Sequence, residues 1–204
     1  MSNATDKKAR VAVLISGGGT NLQAIIDRWQ AGDLPHVDLA LVVSSKETAG
    51  GLARADRAGI PRLYIPKAGF AGEGFEAALL QTLEENRIDL IVLAGFLRIL
   101  SADFVSRYPD RILNVHPSLI PSFCGDGFYG LRVHQAALDY GVKVTGATVH
   151  FVNEVTDGGR IIAQRAVDIL PGDTPETLQR RVMEQAEWIL LPQAVEMVAK
   201  ELTE

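Results

Sequence analysis

Three short runs, residues 11–15, 39–43 and 90–94, are apolar at every position. A strand with one wet face alternates apolar and polar residues. A strand covered on both faces does not, and that is how a parallel sheet under helices reads. Helical patterns lie between the runs. Leu22, Ile25, Ile26 and Trp29 share one spacing, residues 51–58 suit a short helix, and residues 70–86 place Phe75, Leu79, Thr82 and Leu83 on one face. Residues 62–65 suit a short strand. This alternation predicts an α/β fold: a doubly wound, mostly parallel sheet with helices on both faces. Ligands of such sheets bind beyond the carboxyl ends of the strands, so the segments leaving the strands are the ones to read for chemistry.

The segment after the first run is Ser16-Gly17-Gly18-Gly19-Thr20-Asn21, followed by the first helical pattern. Glycines let a ligand approach the backbone, and the first N–H groups of a helix attract an anion. A phosphate fits; a glycine turn with no ligand is the alternative. The pattern is neither G-x-x-x-x-G-K-[ST] nor G-x-G-x-x-G with an acid at the right distance. After residues 90–94 comes Gly95-Phe96-Leu97-Arg98-Ile99-Leu100, which is apolar for a loop. It suits a wall for a flat aromatic ligand, with Arg98 near a carboxylate, and equally a plug closing the sheet against the next helix.

The stretch Ile112-Leu113-Asn114-Val115-His116-Pro117-Ser118-Leu119-Ile120-Pro121 begins as a buried strand and ends in prolines that exclude helix. Asn114 and His116, at i and i+2, face the same side of an extended chain. An amide N–H and a titrating imidazole together can stabilise an oxyanion and deliver a proton to a leaving group. Taken alone, the pattern also fits a strand end with a solvated histidine. The other histidines suit structural places: His36 a surface turn, His134 a helix and His150 a strand facing the core. A catalytic histidine needs a carboxylate to orient it. Asp157, in Asp157-Gly158-Gly159, is the best candidate, and a turn-forming aspartate is the alternative. Paired cysteines, H-E-x-x-H and histidine clusters are absent from the sequence, so no metal is expected. Ser118 lacks a G-x-S-x-G setting.

Residues 122–130 carry three glycines and three aromatic residues and are expected to form a mobile loop; Cys124 within it has no base partner and is expected to be unreactive. A helix over 131–140, strands over 143–151 and 161–167, and a helix capped by Thr174 with Pro175 at its first position complete the chain. Ser101 suits an N-cap for a segment through Arg107, and Pro192 is expected to kink the last helix or start another. The length of 204 residues suits one domain, taken as 11–204 after a disordered tail over 1–10 whose Ser2-Asn3-Ala4 resembles a cloning scar. Net charge is −5, which argues against nucleic acid or anionic membrane as partners. One cysteine fits a reducing compartment, and the tail lacks the apolar core of a signal peptide, so a cytoplasmic location is expected.

Several segments recur together in order and spacing: Ser16-Gly17-Gly18-Gly19-Thr20-Asn21-Leu22-Gln23, Ala94-Gly95-Phe96-Leu97-Arg98-Ile99-Leu100, Asn114 to Pro121, Gly146-Ala147-Thr148-Val149-His150-Phe151-Val152 and Asp157-Gly158-Gly159. Together they closely resemble the phosphoribosylglycinamide formyltransferase family, from Val11 to the C-terminal helix. The resemblance implies a Rossmann-like formyltransferase fold with a long C-terminal helix. It also implies transfer of a formyl group from 10-formyltetrahydrofolate, a co-substrate, to the amine of phosphoribosylglycinamide in purine synthesis. By position, Asn114, His116 and Asp157 match the catalytic triad, and Gly19, Thr20 and Asn21 match the phosphate-binding segment. Leu97, Arg98, Ile99 and Leu100 match one wall of the folate pocket, which Asn114 joins. Asn153, Glu154, Val155, Thr156 and Asp157 match the other wall. Glu187 matches an acid contacting the ribonucleotide, with Glu184 on a nearby substrate-side position. Asp157 is expected to raise the pKa of His116 by favouring its charged form.

This chain departs from the family in three places: Phe70-Ala71-Gly72-Glu73, where many relatives have an Arg; Trp188, where His is usual; and the longer loop over 124–130. The partners implied are the two small-molecule substrates, with a monomer or homodimer as the assembly. The alternatives are a formyltetrahydrofolate hydrolase, a formyltransferase acting on another amine, and a catalytically silent phosphate-binding module.

Overall fold

The computed structural model describes residues 7–204, which form two compact units. The first holds the described residues through Leu100 together with Val195–Glu204; the second is Ser101–Ala194. The expected cloning scar lies outside the described residues. Of the expected tail, Ala9 and Arg10 belong to strand β1.

In the first unit β1 (Ala9–Ile15), α1 (Thr20–Gln30), β2 (Val37–Ser44), α2 (Gly50–Arg57), β3 (Arg62–Tyr64), α3 (Phe75–Glu85) and β4 (Leu90–Leu93) alternate as the apolar runs predict. The strand order is β3-β2-β1-β4 and every pairing is parallel. All side chains of β1 from Val11 onward and all of β4 are buried, so neither strand has a wet face. Each fully buried Val, Leu or Ile contributes about 1.5–3 kcal/mol of transfer free energy. Helix α1 covers the sheet through Leu22, Ile25 and Ile26.

Helix α3 starts five residues later than its pattern suggests. Gly69, Gly72 and Gly74 take positive φ, a conformation the right-handed helix does not allow. Glu73 accepts the N–H groups of Phe70 and Ala71, at 3.1 and 2.7 Å, and so ties up the turn before the helix. The backbone N–H of Glu73 itself, with those of Ala71 and Phe70, holds the Glu73 carboxyl below its usual value.

In the second unit α4 (Ala102–Ser106) is capped by the Ser101 hydroxyl, which accepts the Phe104 N–H. Then follow β5 (Ile112–His116), α5 (Leu131–Tyr140), β6 (Val144–Phe151) and β7 (Ile161–Asp168). Here the strands are antiparallel, in the order β5-β6-β7. Helix α6 (Pro175–Val182) opens with a capping box between Thr174 and Thr177. A π-helical turn, Met183–Glu187, joins it to α7 (Trp188–Thr203), whose last residues from Val195 belong to the first unit.

The irregularity in this helical stretch sits at the π turn and not at Pro192, which lies inside α7. Buried Leu178, Val182, Ala186 and Leu190 are spaced by four. Steps of four drift off a repeat of about 3.6 residues, and one wider turn takes up the drift.

Candidate active site

The glycine segment leaves β1 and enters α1. Gly19 is the N-cap of α1, with φ of 73°, and no side chain caps the helix. A side chain at Gly19 would also meet the Cα of Gly51 at 2.6 Å, so the third glycine serves the close approach of α2. Gly17 and Gly18 have nothing within 4 Å of where a side chain would sit, so they are the open part of the loop. The first turn of α1 has no acidic residue. Arg54 lies against the loop: its Nε donates to the Gly18 carbonyl at 2.8 Å and its Nη1 to Gln23 Oε1 at 3.0 Å. Thr20 and Asn21 open the helix beside it.

Within the same unit, the segment after β4 presents Leu97 at 60% exposure and Ile99 at 80%. These side chains do not plug the sheet. Arg98 is stacked over the Phe75 ring at 4.3 Å, and Phe75 stacks in turn on Phe96. A charged, aromatic-backed surface with exposed aliphatic side chains suits a flat ligand that carries an acid.

The second unit gathers the titrating groups. Asn114 and His116 project from β5, and antiparallel pairing sets His150 of β6 opposite Asn114. The turn after β6 returns Asp157 to the same place. Asp157 takes φ of 55°, and a side chain at Gly159 would collide with the Phe151 carbonyl. The aspartate is therefore both a turn former and a member of the cluster. Its Oδ2 lies 3.4 Å from His116 Nδ1 and accepts the Gly125 N–H at 2.9 Å. Its Oδ1 lies 3.6 Å from His150 Nε2 and 3.5 Å from Asn114 Nδ2, which donates to it.

Hydrogen-bond partners assign the tautomers. His150 Nδ1 faces the Phe151 carbonyl at 2.8 Å, and a carbonyl only accepts, so that nitrogen carries a proton. In the neutral ring Nε2 then accepts from Asn114 Nδ2 at 3.2 Å. His116 Nε2 likewise donates to the Phe123 carbonyl at 2.8 Å. Its Nδ1 faces a carboxylate, so protonating His116 adds a second donor with an acceptor already waiting.

Burial nevertheless dominates and lowers the pKa of His116, with His150 adding to the fall, while the Phe123 carbonyl and Asp157 oppose it. Asp157 acts upward as expected, but the desolvated ring resists charge more strongly. For Asp157 burial acts upward, and the groups around it, His150, the Gly125 N–H and His116, outweigh it, so its carboxyl sits below the usual value. The result is an ionised acid beside a histidine that gives up its proton readily.

The remaining predicted residues fall as follows. Asn153 Oδ1 accepts the Val155 N–H at 3.0 Å, shaping the turn, and Val155 is 59% exposed. Glu154 is exposed, and Thr156 donates to Asp126 at 3.1 Å. Leu100 is half-buried. Glu187 is buried at 6% exposure at the end of the π turn, a place where such turns often mark function. Glu184 is exposed and pairs with Arg180 at 2.8 Å. The cluster takes in Asn114, His116 and Asp157. It also includes three groups the sequence did not single out: His150, the Phe123 carbonyl and the Gly125 N–H. The alternation of residues 143–151 put His150 on a face, but only the antiparallel register says which residue that face meets.

Comparison with known proteins supplies a family. The formyl transferase family profile matches residues 9–195. Over 195 residues the chain is 47% identical to the trifunctional purine biosynthetic protein adenosine-3 of Bos taurus, covering 95% of this chain and 18% of that protein. It therefore spans only a small part of that relative's length. Over 177 residues it is 44% identical to phosphoribosylglycinamide formyltransferase of Haemophilus influenzae, covering 86% of this chain and 81% of the relative. The crystal structure of glycinamide ribonucleotide transformylase 1 from Symbiobacterium toebii matches with a TM-score of 0.87 and 42% identity, over 95% of this chain and 89% of that one. The extent of the profile match and these identities show that the chain belongs to the formyl transferase family.

Proposed function

We propose that this protein transfers the formyl group of 10-formyltetrahydrofolate to the amine of phosphoribosylglycinamide, and that residues 11–204 act as one formyltransferase domain. The observation that carries the chemistry is the gathering of Asn114 and His116 around the half-buried Asp157 carboxylate. The relatives named above, which act in purine synthesis or on phosphoribosylglycinamide by name, support the choice of substrates.

In this reading the amine nitrogen bonds to the formyl carbon, whose oxygen takes up the electron pair. Asn114 Nδ2 and protonated His116 donate to that oxyanion; one such donor contributes about 3 kcal/mol in comparable sites. The Phe123 carbonyl marks the acceptor position that the oxyanion takes over on His116 Nε2. When the bond to the folate nitrogen breaks, that nitrogen takes a proton delivered through His116, and the amine gives one up. A lowered pKa makes His116 the better donor. Asp157 supports the charged ring at Nδ1.

Gly19, Thr20 and Asn21 hold the substrate phosphate at the uncapped start of α1, with Arg54 as charge behind the loop. Glu187, with Glu184 nearby, serves the ribonucleotide. Leu97, Arg98, Ile99 and Leu100, together with Asn153, Glu154, Val155 and Thr156, serve the folate. Glu73 is engaged by its own turn, and Arg98, stacked over Phe75, offers a cation on the folate wall of the first unit. A cytoplasmic location, and a monomer or homodimer, go with this reading.

The test is formyl transfer by purified protein, followed by folate absorbance with and without the ribonucleotide. Turnover that requires the ribonucleotide supports the proposal. Folate release without it supports a hydrolase, and ligand binding without turnover supports a silent module.

A further inference from the structure

Ser16 is the first residue after β1, and its side chain meets two other strand ends. Its backbone N–H donates to the Gly95 carbonyl at 3.1 Å. Its hydroxyl oxygen accepts the Leu97 N–H at 2.9 Å and shares a hydrogen bond with the Ser45 hydroxyl at 2.7 Å. Ser45 follows β2, and its own N–H donates to the Ile15 carbonyl at 3.1 Å. Three loops, leaving β1, β2 and β4, are therefore fastened at one hydroxyl, which is 2% exposed. A hydroxyl has one proton and two lone pairs, so it can bond Leu97 and Ser45 at once. No aliphatic side chain can.

The loops joined in this way are those with the two ligand roles. Ser16 opens the glycine segment, and Leu97 begins the run Leu97 to Leu100. We infer that Ser16 is a positioning residue that sets the phosphate loop and the folate wall against each other, so that both substrates depend on one buried hydroxyl that touches neither. The inference rests on the formyl-transfer reading. Loss of the hydroxyl leaves the segment after β4 tied to Ser16 by the Gly95 carbonyl bond, and leaves Ser45 held by its backbone bond to Ile15 without its hydroxyl partner.

The experiment compares steady-state kinetics of the full chain with those of Ser16→Ala and Ser45→Ala, with the Tm of each measured alongside. Ser16→Ala is expected to raise the KM for the ribonucleotide and the KM for the folate together, each by roughly fivefold, the scale of a lost net hydrogen bond. kcat should stay within about twofold, because the reacting groups lie on other residues. Ser45→Ala keeps the Leu97 bond and should shift both constants in the same direction by less. If Ser16→Ala fails to fold, the parallel shift of both constants in Ser45→Ala decides. A change in only one KM, or a folded Ser16→Ala with both constants unchanged, overturns the inference and leaves the formyl-transfer reading standing. A wild-type protein that transfers no formyl group overturns that reading, and this inference with it.

Discussion

The glycine loop of the first unit and the histidine–aspartate cluster of the second are built on opposite principles. The loop offers backbone N–H groups, open space over Gly17 and Gly18 and the guanidinium of Arg54 against the Gly18 carbonyl. The cluster offers buried side chains whose proton affinities are set by one another. The loop is contiguous in sequence and needs only a strand before it and a helix after it. The cluster draws on β5, β6, a turn after β6 and the segment at Phe123. A binding site for a fixed charge can be local, whereas a site that moves protons needs several groups from separated parts of the chain to desolvate and orient each other.

That contrast fixes what each substitution should do. The largest effect belongs to the cluster. His116→Ala should lower turnover roughly 10³-fold while ribonucleotide binding persists, measured by kcat and by equilibrium titration. Equal loss of both would dissolve the distinction between the two regions. Asp157→Asn should cost roughly 10²-fold and change the pH profile. Asp157 favours the charged form of His116, so its removal lowers that pKa further. Activity that requires the charged ring then declines at a lower pH than in the wild type. An unmoved profile breaks the assigned role.

The glycine loop is sharpened by a pair of variants. Gly19→Ala places a Cβ at positive φ and against Gly51, so it should destabilise the protein by about 1–3 kcal/mol as well as weaken phosphate binding. Gly18→Ala meets no neighbour and should keep the wild-type Tm, losing only affinity for the ribonucleotide. Equal Tm values for the two would show that the close approach of α2 does not matter.

A third effect concerns the buried histidine of α5. His134 is fully buried, neither ring nitrogen has a partner among the described residues, and burial, helped by the charge of His116, brings its pKa down to about 4. The unfolded chain binds the proton at about 6.5, so it binds more protons than the folded chain between the two values. Stability is therefore full above about 6.5 and falls as pH drops towards 4, with roughly 2 kcal/mol lost by pH 5. His134→Leu should flatten that acid limb in denaturant titrations at pH 7 and pH 5. An acid limb as steep as the wild type's would place the sensitivity elsewhere.

The smallest effect is expected at Cys124. Burial and the charge of Asp157 push its thiol upward, and Sγ donates to the Pro121 carbonyl at 3.3 Å. Cys124→Ser should keep kcat within about twofold, and the wild-type thiol should alkylate slowly at neutral pH. Fast alkylation with loss of turnover would bring the cysteine into the cluster.

The local features were legible in the chain itself. Unbroken apolar runs predict strands buried on both faces, Thr174-Pro175 predicts the start of α6, and three glycines before a helical pattern predict the loop at α1. These depend on neighbours in sequence, where periodicity and backbone conformation act directly. The resemblance to a family carried Asn114, His116 and Asp157 as a set, and the structure brings the three together.

What only the tertiary structure decided depends on register, burial and close packing. Antiparallel pairing of β5 with β6 turned His150 from a core histidine into the partner of Asn114. Positive-φ glycines delayed α3, and the π turn displaced the irregularity expected at Pro192. Desolvation outweighs the upward push of Asp157 on His116, because the energy of charging a ring is set by everything around it and not by its nearest acid alone. Sequence periodicity determines which faces are buried; which side chains then meet, and whether a buried group can afford its charge, is determined by distances that only the folded chain creates.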